Sequence, residues 1–137
     1  MKESGIGSVV SLATNSEDIL ELSDFKRFGF SVHAWTHGYG AKEFFYFWYH
    51  DLDALENFIA GLKKIVSDNG GHVTIKAEMD NELHFKLNEL GHLAITGILK
   101  SYDYAFKKQL EFGFRTDQTC LEPFIRDLER VRAEIEQ

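Results

Sequence analysis

Residues 72–99 read HVTIKAEMDNELHFKLNELGHLAITGIL, and their alternation decides the fold. Val73, Ile75 and Ala77 fall on one side, followed by Leu83, Phe85 and Leu87, then Leu93, Ile95, Gly97 and Leu99. Apolar side chains at every second residue mark strands with one buried face. Leu110, Phe112 and Phe114 repeat the pattern. The short connections between these segments predict an antiparallel meander.

Facing residues must share a side of the sheet, and this parity restricts the loops. Setting Val73 against Leu87, Ile75 against Phe85 and Ala77 against Leu83 leaves Met79-Asp80-Asn81 as a three-residue loop. Its last residue, Asn81, is then expected in the left-handed region. Setting Leu87 against Leu93 and Phe85 against Ile95 leaves Glu89-Leu90-Gly91, with Gly91 in that role. A third pairing sets Ile95 against Phe112 and Gly97 against Leu110, with its loop inside residues 102–105. The opposite side then carries the rows His72-Asn88-His92-Arg115, Thr74-Lys86-Ala94-Gly113 and Lys76-His84-Thr96-Glu111, and pairs Lys100 with Lys107. That face is neutral to basic.

Upstream, Ile19-Leu20-Glu21-Leu22 is a short strand candidate, and Phe28 to Thr36 alternates. Phe28, Phe30, Val32 and Ala34 fall on one side, with Ser31, His33 and Trp35 on the other. Gly38-Tyr39-Gly40 reads as the turn into Glu43–His50, which is aromatic on both faces. Phe45, Phe47 and Tyr49 share one face, and Phe44, Tyr46 and Trp48 the other. Residues 1–17 read as a loosely held arm, in which Val9-Val10-Ser11-Leu12 can add an edge strand.

Two segments change period. Leu52, Leu55, Phe58, Ile59, Leu62, Ile65 and Val66 form one helical stripe, capped by Asp51 or Asp53 and stopped by Asn69-Gly70-Gly71. Thr119-Cys120-Leu121-Glu122 has capping-box spacing and opens a closing helix with the stripe Leu121, Phe124, Ile125, Leu128, Val131 and Ile135. The fold class is therefore α+β: a mostly antiparallel β-meander sheet with two amphipathic helices packed on one face. The 137 residues suit a single domain spanning 1–137.

Composition narrows function. The single Cys excludes an internal disulfide and a Cys-rich zinc module. The formal charge of −7 argues against binding nucleic acid by bulk charge. The acids gather in residues 1–24 and in the closing helix, away from the basic sheet face. No stretch reaches the ~18 apolar residues that span a membrane, and the N-terminus is a poor secretory signal, so a cytoplasmic setting is expected.

The chemistry-bearing residues do not assemble a reaction centre. His33 and His37 would stand ~13 Å apart on one strand face, and His72 and His92 are two strands apart, too far to share a zinc ion. Cys120 at a helix start reads as a small packed residue, with no base supplied beside it. Gly38-Tyr39-Gly40 lacks the third glycine of a dinucleotide loop. No catalytic residue, metal or cofactor is expected. The aromatic side chains Trp35, Tyr39, Phe44, Tyr46 and Trp48 are the candidate partner-binding residues, because Trp and Tyr anchor interfaces.

Two stretches carry a resemblance. Gly91-His92-Leu93-Ala94-Ile95-Thr96-Gly97 is followed by Leu110-Glu111-Phe112-Gly113-Phe114-Arg115-Thr116-Asp117-Gln118-Thr119-Cys120-Leu121-Glu122-Pro123-Phe124. This resembles the WapI-type bacterial immunity proteins, over roughly residues 28–131. Their glycine–histidine strand is followed by a strand ending in an Asp-Gln-Thr turn and a last amphipathic helix. The resemblance implies a non-enzymatic protein that neutralises a cognate toxin by binding it. The matching residues are architectural, so no site residue carries over. A homodimer through exposed edge strands is compatible with that reading. A membrane partner is not expected. The alternative is a small-ligand protein with a pocket between the aromatic strands and a helix, using His33, His37 or Tyr39.

Overall fold

The computed structural model describes residues 8–14, 17–47, 52–103 and 106–135. Strands β1 (Val10–Ala13), β2 (Ile19–Lys26), β3 (Gly29–Thr36) and β4 (Tyr39–Tyr46) form one antiparallel sheet in chain order. Helix α1 (Leu52–Asp68) leads to a second antiparallel sheet of β5 (Gly71–Lys76), β6 (Glu82–Leu87), β7 (His92–Asp103) and β8 (Phe106–Asp117). Helix α2 (Leu121–Ile135) follows. The α+β class and the antiparallel meanders match the expectation, but the single sheet is corrected to two. Helix α1 has 17 residues. At ~1.5 Å per residue it spans roughly 25 Å before β5 begins.

The helices are not confined to one sheet face. Helix α1 packs on β5 and β6, and α2 packs on α1 and reaches β1 and β2. Phe85 of β6 ties the layers together, with ring centroids 5.5 Å from Phe58 of α1 and 5.8 Å from Phe124 of α2. One continuous core results, running from Val10 to Val131. The odd-numbered residues predicted to point inward are buried: Val73, Ile75, Leu83, Phe85, Leu87, Leu93, Ile95 and Leu99. Lys86 points outward and is exposed, and His84 is half-buried on the same outer face.

Within the expected arm, Val10–Ala13 is a strand paired with β2, and Val10 and Leu12 are buried. This is the edge strand that the sequence allows within residues 1–17. The apolar alternation of Val10 and Leu12 gives the edge strand a buried face.

The β6–β7 register is the predicted one, with Leu87 opposite Leu93, Phe85 opposite Ile95, and Gly91 at φ 85°. The other two registers are each offset by two residues. Val73 faces Phe85 and Ile75 faces Leu83; Ile95 faces Phe114 and Gly97 faces Phe112. A slip of two preserves which face each side chain occupies, so parity alone cannot detect it.

In the β5–β6 connection the left-handed residues are Met79 (φ 65°) and Asp80 (φ 62°). Asn81 is extended and buried instead. Its side-chain oxygen accepts the Lys100 N–H at 2.6 Å, pinning the loop to β7. The loop expected inside residues 102–105 lies partly outside the described residues.

The starts of one strand and one helix also differ. The β3–β4 turn is His37-Gly38, with φ 48° and 86°, so Tyr39 and Gly40 already belong to β4. Positive φ at both central residues is what a two-residue hairpin turn requires. Helix α2 begins at Leu121, after a single 3-10 turn over Gln118–Cys120. Asp117 caps that 3-10 turn, its carboxylate accepting the Thr119 N–H at 3.0 Å, so Thr119 lies inside the turn and not at the helix cap its spacing suggests. The candidate helix cap Asp51 lies outside the described residues.

Candidate functional site

The outer face of the first sheet is built from the side chains that alternate away from the core. Three rows cross it: Ile19–Trp35–Gly40, Glu21–His33–Lys42 and Ser23–Ser31–Phe44. Their inward-pointing neighbours Phe30, Val32, Ala34 and Phe45 are buried. The face therefore has a buried back and, apart from the buried Ser31, a front that is exposed or half-buried.

One end of the front is an aromatic cluster. Phe28 stacks on Tyr46 with centroids 5.4 Å apart, and Phe44 meets Tyr46 edge-on at 4.8 Å. The Lys26 ammonium lies 5.8 Å from the Phe28 ring and 5.8 Å from the Phe44 ring, within cation–π reach. Phe28 is a correction. Alternation sets it on the same side as Phe30, but it sits in the turn before β3, where strand alternation does not yet apply. Neither Phe28 nor Lys26 was a candidate from sequence. The charged Lys26-Arg27 pair before Phe28 was the available sign of a surface turn.

The other end of the face holds Trp35, 42% exposed, resting above Gly40. Gly40 and Phe44 are four residues apart on β4, about 13 Å at ~3.3 Å per residue. A polar band fills the interval. His33 Nδ1 lies 3.7 Å from a Glu21 carboxylate oxygen, and Lys42 Nζ lies 3.3 Å from Asp24. A hydrogen bond from Ser31 holds the Asp24 carboxyl below its ordinary range, with Lys42 and Lys26 adding to the effect.

The five candidate residues are thus not gathered in one patch. Phe44 and Tyr46 are together, and Trp35 shares their face across the polar band. Tyr39, 72% exposed, is on the opposite parity of β4. Trp48 lies outside the described residues.

The second sheet presents a different outer face. Its observed rows are His72–Lys86–Ala94–Arg115, Thr74–His84–Thr96–Gly113 and Lys76–Glu82–Ile98–Glu111. His84 is held between the Thr74 hydroxyl at 2.9 Å and the Glu82 carboxylate at 2.7 Å. The short Ala94 between Lys86 and Arg115 leaves a hollow of about 290 Å³, lined also by Asn88 and His92. A shallow groove of about 480 Å³ runs along the α1–α2 seam, where Lys63 bridges to Glu129 at 2.6 Å. Neither hollow is lined by the aromatic strands, whose Phe30, Phe45 and Phe47 are buried.

Several of the polar groups that chemistry would need have structural partners. The Cys120 thiol donates to the Asp117 carbonyl at 3.0 Å, and burial pushes it above the usual thiol range. A thiol held protonated is a poor nucleophile. His37 stands 3.8 Å from the buried Asp18, and His33 and His84 have the carboxylate neighbours given above. Among the described residues, no three His, Cys, Asp or Glu side chains are grouped to hold a metal ion. No helix of the described residues is long and apolar enough to cross a membrane.

No curated protein matches the chain. Among solved structures, a chain of the CdiA-CT/CdiI toxin and immunity complex from Enterobacter cloacae is similar to it, with a TM-score of 0.49 and 9% identity, over 91% of this chain and 99% of that one. The profile of the immunity protein WapI-like family matches residues 17–136, which takes in β2 to β8 and both helices. The chain belongs to the immunity protein WapI-like family.

Proposed function

We propose that this protein is a non-catalytic cytoplasmic inhibitor that neutralises its cognate toxin by docking the outer face of the first sheet onto it. Family membership over residues 17–136 carries the immunity reading. The exposed Trp35 and the Phe28–Phe44–Tyr46 cluster support the choice of face. Aromatic anchors flanking a polar band match the composition of protein interfaces. Trp35 and Tyr46 supply rigid apolar area, while Glu21, His33 and Lys42 offer registering charges. The net charge of −7 steers the protein toward a basic partner surface.

The test pairs this protein with the toxin domain encoded beside it. Co-expression should rescue growth of cells making the toxin, and the purified proteins should form a stable complex without turnover of either chain. Survival that requires no complex, or a toxin unaffected by stoichiometric inhibitor, would overturn the reading.

A further inference from the structure

Among the described residues, strand β8 closes the second sheet, hydrogen-bonds to β7 alone along Phe106 to Asp117, and comes close to β3 without pairing with it. The two-residue step between the paired Asp103 and Phe106 fixes which way its backbone points. The Gln118 N–H donating to the Gly91 carbonyl at 2.9 Å agrees with it. Even-numbered residues of β8 bond to β7, so odd-numbered residues from Lys107 to Asp117 turn their N–H and C=O groups outward. A 12-residue strand with one open side is a template for another strand.

The sequence on that edge is self-complementary. Glu111-Phe112-Gly113-Phe114-Arg115 has acid opposed to base and Phe opposed to Phe about Gly113. Two copies laid antiparallel with Gly113 against Gly113 set Glu111 of each copy opposite Arg115 of the other. Gly113 turns its backbone groups outward, so the central pair is hydrogen-bonded. Registers centred on Glu111 or on Arg115 instead place like charges against each other.

The present partners leave those charges available. Glu111 accepts from the neutral Gln109 amide at 2.8 Å. Among the described residues, no cation pairs with Glu111 and no carboxylate with Arg115. On the inner face Phe112 and Phe114, stacked 6.5 Å apart, are both at the rim of the core with 8% exposure. Pairing would extend that aromatic pair across the junction.

We infer that a second copy of this chain docks on β8, joining the two second sheets edge to edge about a two-fold axis at Gly113. An isologous contact of this kind needs a self-complementary patch, which the edge supplies. The inference is independent of toxin binding, because the assay contains no toxin.

Sedimentation of the full chain over a range of concentrations tests it. The wild type should sediment as a dimer at the upper end of the range. Glu111→Arg and Arg115→Glu should each weaken association by about tenfold or more, because each sets like charges opposite one another at two symmetry-related pairs. The double variant Glu111→Arg/Arg115→Glu restores opposite charges and should recover the dimer. A wild type monomeric throughout, single variants as tight as wild type, or a double variant no better than the singles would each overturn the inference.

Discussion

Trp35 of β3 occupies the space directly above Gly40 of β4: a Cβ placed on Gly40 would lie 2.2 Å from the Trp35 indole Cε3. The two residues are cross-strand partners, so glycine is what lets the indole lie against the sheet. Gly40→Ala forces the ring outward. The expected cost is about 1–2 kcal/mol, the scale of an overpacked contact. Denaturant unfolding measures it, and the native tryptophan emission should shift to the red as Trp35 gains water. An unchanged spectrum and midpoint would show that the indole does not depend on Gly40.

Glu43 gives a pH-dependent prediction. It lies on the inner parity of β4, and burial raises its carboxyl above the usual glutamate value, opposed by a hydrogen bond from Ser101 of β7. An acid raised in the folded state binds its proton more tightly folded than unfolded. Its stabilising contribution is complete below the ordinary value of 4.5 and is lost as pH rises through the folded one. Glu43→Gln should therefore melt higher than wild type at neutral pH, with the difference closing near pH 4. A variant less stable at neutral pH would mean that the charged Ser101 contact outweighs burial.

Asp117 has the opposite sign. Hydrogen bonds from the Thr119 hydroxyl and N–H favour its ionised form and hold its carboxyl below the ordinary value of 3.8. Its contribution is present above that value and lost as pH falls below it. Asp117→Ala should lower the melting temperature at pH 7, because the turn before α2 loses its cap. The gap from wild type should shrink below about pH 3 as wild-type Asp117 protonates. A gap that persists unchanged in acid would assign the effect to packing instead of charge.

The sequence showed faces better than registers, and the reason is physical. Burial acts on side chains with a period of two, so Phe85 and Lys86 could be assigned inside and outside with no knowledge of the turns. Register within a face depends on turn backbone. Gly91 announces its left-handed conformation by having no side chain, and its hairpin was read correctly. Met79 and Asp80 announce nothing, while Asn81, the residue expected left-handed, is occupied by the Lys100 N–H. The aromatic surface was legible for the same reason and to the same extent. Parity put Phe44 and Tyr46 on one face, but placing Tyr39 in the turn hid that it belongs to the other. The separation into two sheets depends on where α1 delivers the chain, a long-range outcome that local alternation does not encode.

That division between faces makes the toxin-contact proposal discriminating. Trp35→Ala and Tyr46→Ala remove exposed aromatic area from the proposed contact face, and each should weaken toxin affinity by about thirtyfold or more, as hot-spot truncations of ~2 kcal/mol do. Tyr39→Ala removes a still more exposed ring from the opposite parity and should leave affinity within about threefold. Lys86→Ala on the second sheet should behave like Tyr39→Ala. Calorimetric titration of the four variants with the neighbouring toxin domain reads the difference. A loss confined to Lys86→Ala would move the contact to the basic sheet. Equal small losses in all four would remove the aromatic face from the interface while leaving the immunity function intact.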